Sequence, residues 1–337
     1  MKLFIISMTL MTVSIGFGRC SEEDEPRWRW DGNITETLEA NAVEPLNIEN
    51  YAGNTQNVHP KVLYFEQGWN GYEFWMAYTP YPHGRVMYEN PSLAVSHDGI
   101  NWDVPPGVTN PLIEQPDCGF NSDTHLVYDK EKDRMELWYR PYDNHLYKDK
   151  WDRIVSTDGL NWSEPEEVIP WGKSNELRMS ASVWIENGTY KMIFCDSKNL
   201  YLIRSGGEVD GWKWTQPELI EVAWEELTPW HLDAIYDEEE GTIKMVVCAY
   251  GPDGHFEAAD LYYIESDETL KTTSSPTLIL ERGPYKVNFD FQSIYRASLV
   301  KARGLYYLYY SGIDAWKGRH IGLAIGDSPL TLKGMGR

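Results

Sequence analysis

Cysteine, positive charge and long apolar runs are all scarce in this sequence of 337 residues. Of its four cysteines, Cys195 and Cys248 lie inside apolar stretches and none has a disulfide-framework spacing, so we predict buried thiols at these two positions. Lysine and arginine total 30 against 52 acidic residues, which gives a net charge of −22. Because that balance repels phosphate backbones, we expect no nucleic-acid partner.

One apolar run stands at the start of the chain. Residues 1–19 combine an early lysine, a short apolar core and small residues, a pattern typical of a secretory signal and too short for a membrane span. The position of Cys20 resembles the lipobox of bacterial lipoproteins, although Arg19 stands where a small residue is usual. This resemblance implies lipidation of Cys20 and a membrane anchor, with residues 20–50 as a tether and N-terminal strand.

The acidic run "SEEDE" that follows resembles the surface-export signal of Bacteroidetes lipoproteins. It implies an outer-membrane lipoprotein exposed at the cell surface, and a periplasmic or secreted protein is the alternative.

Helical periodicity is also scarce, whereas short runs rich in β-branched and aromatic residues recur throughout. A strand, a turn and an aromatic second strand repeat five times, as in "SVWIENGTYKMIF" and "SLVKARGLYYLYYSG". Five repeated sheets of about four strands close most naturally as a β-propeller. We therefore predict an all-β, five-bladed propeller over residues 51–337.

Two of the repeats end in nearly the same sequence, "SHDGINW" from Ser96 and "STDGLNW" from Ser156. They resemble the Asp-box turns of sialidase-like propellers, in which the aspartate caps a tight turn and the tryptophan packs between sheets. We expect structural roles for Asp98 and Asp158. A sialidase-like enzyme for acidic sugars remains an alternative function, but that fold has six blades.

The blade pattern of residues 50–330 resembles the five-bladed propeller glycosidases of glycoside hydrolase families 43, 62, 32 and 117. The resemblance implies hydrolysis of a glycosidic bond in a poly- or oligosaccharide at the central mouth of the disc. The chain departs from family 43, because His59-Pro60 stands where that family has Asp-Pro and no glutamate falls at the third-blade acid position. Family 117 is similar in using a histidine as an acid.

Polar residues open the inner strands of this alignment. His59, Asp123, Ser180, His231 and Tyr295 form one tier, and Lys61, His125, Ser182, Asp233 and Ala297 form the next. Because side chains repeat every second residue along a strand, the two tiers project from the same side. We expect a functional site at the channel mouth, and the alternative is a channel whose polar groups only bond trapped water.

A glycosidase needs two carboxyl groups in different protonation states. Asp123 and Asp233 are the predicted pair, with Glu176 as a third acid and His59 or His231 as an acid or positioning group. Glu89 and Asp290 are further carboxylates on the same face. The alternative is a carbohydrate-binding protein that has kept the fold and lost the chemistry.

Other side chains are candidates for substrate binding. Arginines hold carboxylates in bidentate pairs, so Arg178 and Arg296 suit an acidic sugar, while Trp230 and Trp316 offer flat rings for stacking. His125 is expected to line the same pocket. No spacing matches a metal motif, so we expect no cofactor, although histidine and aspartate ligands leave a channel-bound divalent ion such as calcium open.

Overall fold

The structure is a computed structural model that describes residues 39–173, 179–196, 198–252, 254 and 256–336. Three predicted residues, Cys20, Glu176 and Arg178, lie outside the described residues, as does the predicted signal segment 1–19. Within the described part of the chain, no helix has the length and apolar character that a membrane crossing requires.

Five antiparallel sheets follow one another along the chain, which confirms the predicted five-bladed propeller. The first contains three strands, β1 Asn57–Trp69, β2 Tyr72–Pro80 and β3 Ser92–Ser96. The second and third contain β4 Gly119–Asp129, β5 Arg134–Asp143, β6 Lys148–Ser156 and β7 Glu166–Lys173, then β8 Met179–Glu186, β9 Thr189–Cys195, β10 Leu200–Ser205 and β11 Glu218–Ile220.

The fourth and fifth sheets have the same strand order. They contain β12 Thr228–Asp237, β13 Thr242–Tyr250, β14 Asp260–Asp267 and β15 Thr277–Leu280, then β16 Ser293–Ala302, β17 Leu305–Ile313, β18 Arg319–Gly326 and β19 Lys333–Gly334. Single 3-10 turns lie at Pro82–Gly84, Val86–Tyr88, Gly207–Val209 and Phe256–Ala258.

Alternation along the second strand of the first blade shows how neighbouring blades are joined. Phe74 and Met76 pack in the core shared with the last blade, whereas Trp75 and Ala77 pack in the core shared with the second blade. All four side chains are fully buried. Each side chain of the size of Phe74 or Met76 contributes about 1.5–3 kcal/mol through burial, so both faces of a blade contribute to closure of the disc.

The segment before β1 packs on the last blade. Val43 N donates to Met335 O at 2.9 Å, and Leu46 N donates to Ile321 O at 2.8 Å. Residues 39–50 contain no strand, and the fourth strand of the last blade is β19 from the C-terminal end.

The two Asp boxes have the structural role predicted for them. Asp98 Oδ1 accepts the amide hydrogens of Ile100 and Asn101, each at 2.8 Å, and Asp158 makes the equivalent pair of bonds. Trp102 is buried in the core between the first and last blades. These aspartates therefore stabilise turns at the face opposite the channel mouth.

Candidate functional site

Each inner strand has an irregularity at its first residues. The register between strands one and two shifts in every blade, at Val58/Lys61, Ser122/His125, Met179/Ser182, Pro229/His231 and Ile294/Ala297. In three blades the shift contains a left-handed residue: His59 has φ 56°, Asp123 has φ 55° and Ser180 has φ 52°. Such conformations cost about 1–3 kcal/mol outside glycine and concentrate at functional sites.

Three side chains of the first tier meet at the channel mouth, and we call His59, Asp123 and His231 the mouth cluster. Asp123 Oδ1 lies 3.6 Å from His59 Nε2 and 3.8 Å from His231 Nδ1. All three residues are buried, and one ligand-type atom from each lies within 4.8 Å of the others. These atoms have no hydrogen-bond partner among the described residues, although buried polar groups normally have one.

Electrostatics fix the charge states of the mouth cluster. Burial alone would raise the pKa of Asp123, but Arg140, whose Nε donates to Asp123 Oδ2 at 2.6 Å, and the other nearby cations hold that pKa far below its usual range. Burial lowers the pKa of His231 to about 3, and it also lowers the pKa of His59 well below 6.5. The cluster therefore combines two neutral imidazoles and one carboxylate, the forms that bind metal ions.

A second carboxyl group lies behind His59. Glu89 Oε1 is 3.4 Å from His59 Nδ1, and Thr79 Oγ1 is 3.0 Å from the same nitrogen. Burial, reinforced by the negative charge of Asp123, raises the pKa of Glu89 to about 8. Near neutral pH Glu89 therefore carries a proton while Asp123 is ionised.

The second tier differs in that its polar atoms are paired with one another, and we call Lys61, His125, Ser182 and Asp233 the inner tier. Asp233 Oδ1 accepts from Lys61 Nζ at 2.7 Å and from Ser182 Oγ at 3.3 Å, and its Oδ2 accepts from Leu299 N at 3.0 Å. His125 Nε2 lies 3.0 Å from both the amide nitrogen and the carbonyl oxygen of Val183. Both oxygens of Asp233 are thus engaged within the protein.

Arg296 links the two tiers. Its Nη2 is 3.2 Å from His125 Nδ1 and donates to Ala181 O at 3.2 Å, while its Nη1 is 3.9 Å from Asp123 Oδ1. Arg296 is fully buried, so its guanidinium lies inside the protein and not at the exposed surface of the site. It was aligned one residue past the first tier, a position from which a long side chain extends into the channel.

Two aromatic residues border the mouth cluster. The Trp230 ring centroid lies 4.4 Å from that of His231, and Tyr295 lies 4.9 Å from His59 and 4.5 Å from His231. Both Trp230 and Tyr295 are partly exposed, whereas the cluster itself is buried. Tyr295 was not predicted as a site residue, although it shares the first tier, and Thr79 carries no sequence signal of its role.

The remaining predicted residues are further from the chemistry or have other contacts. Trp316 is 67% exposed in the loop between β17 and β18 on the mouth side of the disc. Asp290 is buried and accepts hydrogen bonds from Asn41 Nδ2 at 2.7 Å and Tyr310 OH at 3.1 Å, which fastens residue 41 to the last blade. The three free cysteines described include Cys195 and Cys248, both buried as predicted.

Fold and site together define a five-bladed propeller with a buried histidine–aspartate cluster at its mouth. No protein-family profile matches the chain. A type blood N-acetyl-alpha-D-galactosamine deacetylase from Flavonifractor plautii is 28% identical over 303 residues, covering 74% of this chain. The chain spans 38% of the length of that relative.

Solved structures give the same fold. An N-acetylgalactosamine deacetylase from F. plautii, in complex with blood group B trisaccharide, has a TM-score of 0.70 at 20% identity and covers 86% of this chain and 95% of its own. A thermostable family-43 glycoside hydrolase has a TM-score of 0.61 at 12% identity, covering 88% and 96%. At these identities the likeness establishes the propeller fold, and it does not establish which reaction this chain performs.

Proposed function

We propose that this protein is a hydrolase that removes the acetyl group from an N-acetylated amino sugar of a glycan, using a divalent metal ion held by the mouth cluster. The observation that carries the proposal is the convergence of His59, Asp123 and His231, three buried side chains with unpaired ligand atoms. The similarity to a sugar deacetylase supports the choice of an amide bond as the target.

The donor set fits a metal ion. Two ligand atoms about 2.1 Å from one ion lie at most about 4.2 Å apart, and the 3.6 and 3.8 Å separations from Asp123 Oδ1 are within that limit. The three ligand atoms together lie within 4.8 Å of one another, so a small approach of the two imidazoles completes the site. Two imidazoles with one carboxylate favour zinc, iron or manganese over calcium, because calcium prefers an all-oxygen shell. The expectation from the sequence of no cofactor, or of calcium, is therefore replaced by this proposal.

Each residue has a defined task in this reaction. A bound ion of this class supplies Lewis acidity towards the amide carbonyl and a reactive water at neutral pH. Arg140 orients Asp123 by its 2.6 Å hydrogen bond, and Thr79 and Glu89 contact His59 Nδ1 and so orient its ring from behind. Trp230 and Tyr295 form a partly exposed aromatic wall that suits a sugar face and excludes water.

A second candidate function is hydrolysis of a glycosidic bond by Glu89 and Asp123. These two carboxyl groups flank His59, and their environments push their pKa values apart, the pattern of a general acid and a base. The pair predicted from the sequence, Asp123 and Asp233, is less well supported because Lys61, Ser182 and Leu299 occupy both oxygens of Asp233.

The test separates the two reactions by their products. Purified protein is incubated with glycans that end in N-acetylhexosamine, and released acetate and new reducing ends are measured in parallel. We expect acetate release that a chelator abolishes and that zinc, manganese or iron restores. New reducing ends without acetate would establish the glycosidase instead, and binding without either product would establish a carbohydrate-binding protein.

We also propose that Cys20 is lipidated and anchors the protein at the outer surface of a bacterial outer membrane, on the sequence pattern alone. The variant Cys20→Ala should be released into the soluble fraction, which cell fractionation and immunoblotting measure. Normal processing and membrane association of Cys20→Ala would contradict the anchor.

A further inference from the structure

Two loops on the mouth side of the disc are joined beside the candidate site. Gln56 Oε1 accepts from His83 N at 2.8 Å and from Arg319 N at 3.3 Å, so it connects the loop after β2 with the start of β18. The Arg319 guanidinium lies over the Tyr81 ring at 5.3 Å from the centroid. We call the surface formed by these loops the rim patch; it contains Tyr81, His83, Arg85, Trp316, Lys317 and Arg319.

The rim patch is cationic in a strongly acidic protein. Within the described residues, Arg85, Lys317 and Arg319 have no carboxylate within ion-pair distance, whereas most buried or half-buried arginines of the chain are paired with acids. Arg319 Nη1 donates to Lys317 O at 2.6 Å, and the remaining guanidinium edge is not engaged by an acid. The sign of this local group is opposite to the net charge of −22 of the whole protein.

The acidic groups close to the rim patch are engaged by other partners. Asp314 accepts from Trp316 N at 2.8 Å and from Gly318 N at 2.7 Å through Oδ1, and its Oδ2 lies 3.1 Å from His320 Nε2. Glu89 is buried, with its Oε1 3.4 Å from His59 Nδ1. Local positive charge therefore exceeds local negative charge at this part of the rim.

The patch adjoins the mouth cluster. Arg319 and Tyr81 lie close enough to Glu89 for electrostatic coupling, and Glu89 contacts His59. Trp316, 67% exposed, stands next to Lys317 with a ring free for stacking. A flat ring and cations beside a buried site are suited to the neighbouring sugar of a chain.

We infer that the rim patch binds an anionic group, a carboxylate or a sulfate ester, on the sugar next to the one that enters the mouth cluster. This inference rests on the proposed function for the identity of the reacting sugar and deepens it by assigning an acidic glycan as substrate class. The acidic remainder of the surface repels such a glycan everywhere else, so the patch also orients it.

Binding of short probes without an N-acetyl group tests the patch separately from the reaction. The probes are a glucuronate-containing disaccharide, a 6-O-sulfated galactose disaccharide and their neutral counterparts, measured by calorimetry on the whole protein at low and high salt. We expect the acidic probes to bind about tenfold more tightly at low salt, the weaker end of a charge-assisted hydrogen bond, and this preference to shrink at high salt. A preference for one acidic probe identifies the carboxylate or the sulfate as the source.

The variants are Lys317→Met, Arg319→Met and their combination, with thermal unfolding to verify the fold. The matched control is Arg303→Met, which removes a cation from the turn between β16 and β17 on the opposite face. Rim variants should lose the preference while the control keeps it. Equal binding of acidic and neutral probes by the wild type, or a preference that survives in the double variant, overturns the inference.

Failure of the proposed function gives a different result. If no glycan loses acetate but the preference for acidic probes is present and Arg319 and Lys317 carry it, the deacetylase proposal is wrong and the acidic-glycan surface stands. If neutral N-acetylated glycans are deacetylated and acidic neighbours give no advantage in binding, the deacetylase proposal stands and the acidic-glycan surface is wrong.

Discussion

The mouth cluster and the inner tier lie on inner strands of the disc, only two residues apart, yet their polar atoms differ in hydrogen bonding. Asp123 Oδ1 and both ring nitrogens of His231 are buried without hydrogen-bond partners among the described residues. Asp233, equally buried, accepts three hydrogen bonds. Both tiers are buried and both contain histidine and aspartate, and the satisfaction of hydrogen bonds distinguishes Asp123 from Asp233.

This difference indicates which tier stabilises the fold and which serves function. Leaving a buried polar atom unpaired costs about 1–3 kcal/mol, so several such atoms converging at one point favour a site that another molecule or ion engages. A fully paired network costs less and holds strands in register. We therefore propose structural roles for Lys61 and Asp233 and functional roles for His59, Asp123 and His231.

The largest expected effect comes from His231→Phe. Phenylalanine keeps the ring that packs against Trp230 and Tyr295 but removes both nitrogens. Acetate release should fall by roughly a hundred- to ten-thousand-fold or more, because a ligand and its positioned chemistry are lost. Metal content by mass spectrometry should fall in parallel.

The stability of His231→Phe should not fall together with its activity. Since two unpaired buried nitrogens disappear, the free energy of unfolding in urea should stay unchanged or increase. A variant that unfolds readily but retains activity would reverse the assignment of the mouth cluster.

The next largest effect is expected from Lys61→Met in the inner tier, and it is a loss of stability. Removing the ammonium leaves Asp233 charged and buried without its 2.7 Å partner, which should cost about 3–5 kcal/mol in the free energy of unfolding. Denaturant unfolding measures this loss, and the double variant Lys61→Met with Asp233→Asn should recover part of it.

Activity per folded molecule distinguishes a structural role of Asp233 from a catalytic one. If it is structural, Asp233→Asn should retain activity within a few-fold of wild type. Loss of turnover in a folded Asp233→Asn protein would restore Asp233 as a catalytic carboxylate, as the sequence predicted.

Much of this molecule was predictable from periodicity. The five strand starts at His59, Asp123, Ser180, His231 and Tyr295 fall within β1, β4, β8, β12 and β16, because alternation and repeat length follow directly from strand geometry. The same alignment found the three members of the mouth cluster. Local pattern was sufficient because each of these residues sits at the same place in a repeated unit.

The pairing of the inner tier could not be predicted in this way. Lys61 and Asp233 are 172 positions apart, and Leu299 contributes a backbone amide, so no local pattern shows that Asp233 is already engaged. Glu89 presents the same difficulty, since it lies in an irregular loop rather than at a strand start. Its importance follows from burial and from its contact with His59, which only the closed disc provides.

The smallest effects are expected at Glu89. Two substitutions there distinguish a side chain that orients His59 from one that transfers a proton. Glu89→Gln keeps the shape of the side chain and an oxygen near His59 Nδ1, so metal affinity and acetate release should stay within a few-fold of wild type. Glu89→Ala removes the contact and should weaken metal binding by about 10–100-fold. Titration of the metal-free protein with zinc measures both values.

The pH dependence of stability provides an independent readout on the metal-free protein. Because the pKa of Glu89 is raised in the folded state from 4.5 to about 8, the folded protein binds more protons than the unfolded chain in this window. Wild-type stability should therefore fall as pH rises from about 4.5 to about 8, and Glu89→Gln should lack this contribution. If Glu89→Gln abolishes turnover while zinc affinity is unchanged, Glu89 transfers a proton, and the pairing of Glu89 with Asp123 as acid and base becomes the better account of the site.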